Sequence, residues 1–133
     1  MRREHFRNQL NAAVSPKSPS KERQGCLSAD MATWRDVFEL NFFTPLLIVR
    51  GLAPALALGK GSVVNITSIA GHSIHPFAGS PYSTSKAALS ALTRELAAEM
   101  AELGVRAQSG RHEYERPSHR PHWLSTRRAT PKS

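Results

Sequence analysis

Two side chains suited to acid–base chemistry, Tyr82 and Lys86, lie four residues apart. In a helix this spacing puts a phenol and an ammonium on one face. A free tyrosine ionises only near pH ~10, but a neighbouring ammonium and the positive end of a helix dipole both favour the phenolate. The pair therefore indicates a proton donor beside the group that tunes it. The alternative is a surface tyrosine packed beside a lysine stem, because the same spacing also arises by chance.

A helix must carry this pair, and the sequence predicts one over residues 81–103. Ser80 is a suitable N-cap, Pro81 a suitable first helical residue, and Gly104 a suitable residue to end the helix. Apolar residues form a stripe at helical spacing along it. They are Leu89, Leu92, Leu96, Met100 and Leu103.

Upstream, Ser62 to Ile66 is nearly continuous in apolar and β-branched residues, which is typical of a strand buried in a parallel sheet. Ser68 falls where this strand should end. In open α/β sheets the chemistry lies outside the carboxyl ends of the strands. Ser68 is therefore a candidate site residue.

A second helix is predicted over residues 33–58, with Thr33 as its cap. It contains Asn41 and, four residues later, Pro45. Proline has no N–H, so the Asn41 carbonyl loses its usual i+4 donor. The consequence is either an available carbonyl or an ordinary helix kink.

In this order, the Asn41 helix, the strand ending at Ser68 and the Tyr82-x-x-x-Lys86 helix resemble the short-chain dehydrogenase/reductase family. The resemblance runs from about residue 11 to residue 107. It implies an α/β fold, namely the catalytic half (helix, parallel strand, helix) of an incomplete Rossmann-type doubly wound fold.

The resemblance also implies hydride transfer between NAD or NADP and a small-molecule carbonyl/alcohol pair. Tyr82 would exchange a proton with the substrate oxygen, and Ser68 would hydrogen-bond that oxygen. Lys86 would favour the ionised phenol and hold the nicotinamide ribose, and Asn41 would complete a proton relay through water. Asn11, in a weak match to the family's Asn-Asn-Ala-Gly motif, would lie beside the cofactor.

No Thr-Gly-x-x-x-Gly-x-Gly motif, which would seat the cofactor pyrophosphate, occurs in the 133 residues. The strands that should flank residues 62–66 also look mostly absent. We therefore expect a truncated chain, weakly active or inactive alone. The resemblance also implies a homo-oligomer formed through helices 33–58 and 81–103. The alternative to the oxidoreductase interpretation is an inactive interaction fragment that uses the two helices to pair with intact relatives.

The charge map divides the chain into residues 1–29, 30–107 and 108–133. Each flank carries six Lys/Arg against two Glu, whereas the middle carries six of each sign and is neutral. We expect both basic flanks to be poorly ordered. An out-of-frame or spliced origin would explain the abrupt change in composition at residue 108, and the same origin is considered for residues 1–9. Because they show little aromatic or helical organisation, nucleic-acid binding is not expected.

Other features argue against further function classes. The single cysteine, Cys26, cannot form a disulfide within the chain, which is compatible with the cytoplasm. The apolar run 46–58 is short and interrupted, so no membrane span is expected. His72 and His75 lack a nearby carboxylate or thiolate and make a poor metal site; lining a substrate pocket or simple exposure is favoured.

Overall fold

A computed structural model of the chain describes residues 7–10, 13–18, 20 and 22–112. Three strands and three α-helices alternate along it. In chain order they are β1 (Arg7–Leu10), α1 (Met31–Phe38), α2 (Thr44–Gly59), β2 (Ser62–Ser68), α3 (Ser80–Ala101) and β3 (Arg106–His112). A π-helical turn, Glu39–Phe43, joins α1 to α2, and a 3₁₀ turn, Ile69–Gly71, follows β2.

The strands form one parallel sheet in the order β1-β2-β3. Leu10 pairs with Asn65 at one side of β2, and Ser68 pairs with His112 at the other. The α1–α2 stretch crosses from β1 to β2, and α3 crosses from β2 to β3. Because both crossovers step in the same direction, the right-handed rule puts both helical layers on one face of the sheet. The predicted α/β class with parallel strands is confirmed.

The core lies between α2, α3 and that covered face. Its buried members are Val49, Leu56, Val63, Leu96, Met100 and Val105. Each such side chain contributes about 1.5–3 kcal/mol when fully buried. Val64 and Ile66 alternate with the inward residues of β2 and are only half-buried. Within the described residues, no helix covers their face.

Helix α3 agrees with the prediction except at its cap. Gly79, not Ser80, is the N-cap: its backbone is extended (φ −70°, ψ 158°), and Ser80 is already the first helical residue. The Ser80 N–H donates to the Gln24 carbonyl at 2.8 Å. Regular helix ends at Ala101, and Gly104 then adopts a left-handed φ of 71°. Its N–H donates to the Ala101 carbonyl while the next N–H donates to the Met100 carbonyl, as in a Schellman motif. Gly104 therefore ends the helix as predicted.

The other predicted helix begins at Met31 rather than after Thr33. Asp30 is the N-cap, and its Oδ1 accepts the Thr33 N–H at 2.7 Å. Instead of a simple kink at Pro45, the structure has the π-helical turn directly before it. Such turns occur frequently at functional sites.

This helical stretch, Met31–Gly59, is long and apolar enough to cross a membrane by length and composition alone. That is weak evidence, since core helices of soluble proteins pass the same test. The prediction of no membrane span stays a prediction.

Two strands lie in segments predicted to be poorly ordered. Strand β1 lies in the 1–29 flank, and β3 extends to His112, five residues past the boundary predicted at 107. The expectation that strands flanking β2 are mostly absent is therefore wrong for the described residues. Between Val14 and Gln24 the described residues form a loop. In the two predicted flanks, residues 1–6, 11–12, 19, 21 and 113–133 lie outside the described residues.

Candidate active site

Lys86 is buried inside the chain, with 4% of its surface exposed. Its Nζ donates to the Ile66 carbonyl of β2 at 2.8 Å and lies 5.9 Å from the centre of the Tyr82 ring. Loss of hydration lowers the pKa of Lys86 below its ordinary value. The ammonium thus connects the first turns of α3 to the carboxyl end of β2, beside the phenol.

Ser68 is the last residue of β2 and is 8% exposed. Its Oγ accepts the Ala70 N–H at 3.2 Å and so caps the 3₁₀ turn. That turn packs directly on α3. A Cβ added to Gly71 would lie 2.8 Å from the Ala87 nitrogen and 3.0 Å from the Lys86 carbonyl carbon. Only glycine permits the strand end to approach the lysine-bearing helix this closely.

Asn41 lies in the π-helical turn and is fully buried. Its amide closes a pair of hydrogen bonds with Val14: Oδ1 accepts the Val14 N–H at 2.9 Å, and Nδ2 donates to the Val14 carbonyl at 3.0 Å. Nδ2 also donates to the Ser85 Oγ at 3.1 Å. Asn41 therefore ties the loop after β1 to α3.

Ser85 completes a bridge from Asn41 to the tyrosine turn, and sequence reasoning missed it. Its Oγ accepts from Asn41 and donates to the Tyr82 carbonyl at 2.7 Å. The available signal was its position directly before Lys86, on a turn rich in small hydroxyl residues. The structure thus connects Asn41, through Ser85, to the turn that carries Tyr82.

A family model for short chain dehydrogenases matches residues 10–110 of this chain. The chain belongs to the short-chain dehydrogenase family. The match nearly coincides with the extent predicted from the motifs, residues 11–107, and confirms the family resemblance.

Relatives of this chain occur in bacteria, fungi and mammals. Protein FixR of Bradyrhizobium diazoefficiens is 52% identical over 99 residues, which cover 74% of this chain and 36% of that protein. Among solved structures, a Brucella ovis oxidoreductase of the short-chain dehydrogenase/reductase family, in complex with a partially ordered NAD, is 48% identical with a TM-score of 0.78. That match covers 80% of this chain and 48% of the other. A Brucella melitensis 3-oxoacyl-[acyl-carrier protein] reductase with bound NAD is 27% identical, with a TM-score of 0.73, over 77% of this chain and 39% of the other.

The chain therefore spans about a third of the length of its first curated relative and about half of the first solved one. Asn11, the remaining predicted cofactor residue, lies outside the described residues, directly after the end of β1 at Leu10.

The loop before α1 contributes contacts that its polar composition did not predict. Val14 meets Asn41 at one end of the loop, while Arg23 and Gln24 bind the segment before α3 at the other. His75, one of the two histidines singled out, accepts backbone N–H groups inside that segment. Among the described residues, no group of three or more His, Cys, Asp or Glu side chains could hold a metal ion.

Proposed function

We propose that this chain supplies the catalytic half of an NAD- or NADP-dependent oxidoreductase that interconverts a carbonyl and an alcohol on a small molecule. The observation that supports it most is the buried Lys86 ammonium between the Tyr82 ring and the β2 carbonyl. Burying a charge is costly, so a lysine held at 4% exposure is more readily explained by function than by stability.

In this proposal Tyr82 donates a proton to the substrate oxygen during reduction and takes it back during oxidation. Ser68 donates a hydrogen bond to the same oxygen, where negative charge develops. Asn41 relays the proton to solvent through its backbone carbonyl and a water. Because Pro45 has no N–H, this carbonyl lacks its usual α-helical donor.

Lys86 fits one half of a nicotinamide cofactor. An ammonium has three N–H donors, and the bond to the Ile66 carbonyl uses one, so two can serve ribose hydroxyls. Tyr82 and Asn11 are the other two residues proposed to contact the cofactor. When bound, the cofactor supplies or accepts the hydride. The pyrophosphate-binding glycine motif does not occur in this sequence, so the proposal includes weak activity or none for the chain alone.

Cofactor titration tests this proposal. We expect NAD(H) or NADP(H) to raise the melting temperature of the chain saturably. Lys86→Met, which keeps length but removes the donors, should weaken binding about 10- to 100-fold, the equivalent of a lost charge-assisted hydrogen bond. Isothermal titration calorimetry measures the affinities, and circular dichroism checks that the variant is folded.

Lys17→Met is the matched control, because Lys17 is exposed on the loop and its loss removes the same charge. Equal affinity of the Lys86 and Lys17 variants would contradict the proposed cofactor role. No saturable stabilisation by any of the four cofactor forms would leave the interaction fragment as the better account.

That second candidate is an inactive fragment that pairs with intact relatives, and the oxidoreductase proposal includes a homo-oligomer through the same two helices. Both kinds of association are favoured by exposed apolar surface on α2 and the turn before it. Phe43, Leu47 and Leu58 are 45%, 57% and 89% exposed. Next to them, a groove is lined by aromatic rings with Arg35 and Glu39 on the same helical stretch. In an antiparallel pair of identical helices, each arginine could face the partner's glutamate, as in an isologous interface.

Leu47→Glu tests the association. A charge buried without a partner should weaken self-association by about a hundredfold or more. Sedimentation velocity over a concentration series measures it, with Ser20→Glu, on the exposed loop, as the equal-charge control. If both variants associate like the unmodified chain, this face is not the interface.

The proposal also includes a cytoplasmic location, supported by a lone free Cys26 and the family's nicotinamide chemistry.

A further inference from the structure

The segment that leads into α3 contains a turn closed by a histidine ring. His75 Nδ1 accepts the N–H groups of Phe77 and Ala78, both at 3.2 Å. An imidazole nitrogen can accept only when it carries no proton, since both ring nitrogens of the charged form are donors. The turn in this form therefore requires unprotonated His75.

A second set of contacts holds the same turn from the opposite loop. Arg23 Nε donates to the Ala78 carbonyl at 2.7 Å and to the His75 carbonyl at 3.3 Å. The next residue, Gln24, accepts the Ser80 N–H at 2.8 Å. Residues 23–24 thus hold the turn and the first residue of α3 together, two residues before Tyr82.

The Arg23 charge acts against protonation of the ring. Arg23 Nε lies 3.3 Å from the His75 carbonyl oxygen, and the uncharged Phe77 ring lies 6.0 Å from the imidazole within the same segment. Burial and then the Arg23 charge lower the pKa of His75 below its ordinary 6.5. Arg23 thus supports the turn both by direct hydrogen bonds and by keeping His75 neutral.

We propose that Arg23 and unprotonated His75 are a positioning pair that keeps this turn closed and so sets where the first turn of α3 begins. Its consequence for Tyr82 rests on the proposed function, whereas the closed turn does not. Protonation opens the turn. Below its pKa, His75 can no longer accept the N–H groups of Phe77 and Ala78 at Nδ1, and it carries a positive charge near Arg23. Stability attributable to the turn is present above pH 6.5 and is lost as the pH falls through the lowered pKa of His75.

NMR of the full chain tests the pair directly. The His75 ring resonances give its pKa, and amide hydrogen exchange, corrected for intrinsic rates, reports on Phe77 and Ala78. In the unmodified chain we expect their protection to fall about two- to tenfold as His75 becomes charged, the equivalent of one neutral hydrogen bond lost. The same titration should move the Tyr82 amide shift.

Three variants separate the contributions. Arg23→Gln should raise the pKa of His75 and reduce protection at every pH, whereas Lys17→Gln, which removes one charge from the same loop, should do neither. His75→Asn keeps an acceptor that cannot be protonated, so protection should survive and lose its pH dependence. A His75 pKa unchanged in Arg23→Gln, or the same pH dependence in His75→Asn, would overturn the proposal.

These readouts need neither cofactor nor turnover. A closed, pH-dependent turn without cofactor binding would therefore contradict only the oxidoreductase proposal. Cofactor binding with a pH-independent turn would contradict only the positioning pair.

Discussion

Asn41→Ala should lower the free energy of unfolding by about 2–4 kcal/mol, because a buried amide with three hydrogen bonds is removed and the Val14 backbone loses its partner. Small domains have only about 5–15 kcal/mol in total, so this loss is a large fraction of the stability. Urea unfolding followed by circular dichroism measures the change.

Asn41→Asp separates the hydrogen bonds from the volume of the side chain. It keeps an oxygen for the Val14 N–H, but it sets a second oxygen against the Val14 carbonyl and puts a carboxyl in a fully buried position. We expect it to cost at least as much as alanine, since an unpaired buried charge is more expensive than a lost bond. A cost of about 0.5 kcal/mol or less for both, the level of surface substitutions, would show that Asn41 does not hold the loop.

Gly71→Ala should destabilise the chain by about 1–3 kcal/mol through overpacking. The added methyl would lie 2.8 Å from the Ala87 nitrogen, and backbone atoms cannot move aside as a flexible side chain could. Either the 3₁₀ turn or α3 must shift, and Lys86 lies on the helix that would move. We therefore expect lower stability together with weaker cofactor binding, measured by urea unfolding and calorimetry.

Gly51→Ala is the matched control, as the same methyl added at Gly51 on α2 meets nothing within 4 Å. Glycine in a helix interior is about 0.5–1 kcal/mol worse than alanine, so this variant should be more stable than the unmodified chain. If Gly71→Ala lowers the free energy of unfolding while Gly51→Ala raises it, the destabilisation comes from the contact between Gly71 and α3. A neutral or stabilising Gly71→Ala would mean that the turn does not approach the helix as closely as described.

Helix α3 could be predicted almost completely because its determinants are local. The apolar stripe through Leu89 and Leu96 fixed its buried side, and Gly104 fixed its end. Its cap was predicted one residue late, and the N–H of the first helical residue, Ser80, donates to Gln24, a residue distant in sequence. Thr33 was wrong for a local reason, since Asp30, three residues earlier, supplies the capping acceptor.

Strands β1 and β3 could not be predicted from the pattern of their own residues. Their sequences contain charged and amide side chains and no apolar run, so neither signals a strand by itself. Each is a strand because β2 offers hydrogen-bonding groups on both sides. Pairing of this kind depends on tertiary context and overrides weak local preference.

For the candidate site, residue types could be predicted but not the contacts that hold them. The spacing of Tyr82 and Lys86 predicted that they share one helical face, and the 5.9 Å between Lys86 Nζ and the centre of the Tyr82 ring agrees with this. The bonds of Asn41 to Val14 and Ser85 join residues 27 and 44 positions apart and carry no periodic signal. The catalytic and cofactor roles of these residues stay predictions.

The three-strand order has one more consequence, for sheet extension. Within the described residues β3 is an edge strand, and an edge offers a row of unpaired N–H and C=O groups to any passing chain. Arg106 lies on it and is exposed. A charged side chain on an edge strand disfavours pairing with another chain, so Arg106 opposes extension of the sheet, most strongly in dilute buffer where counterions screen least.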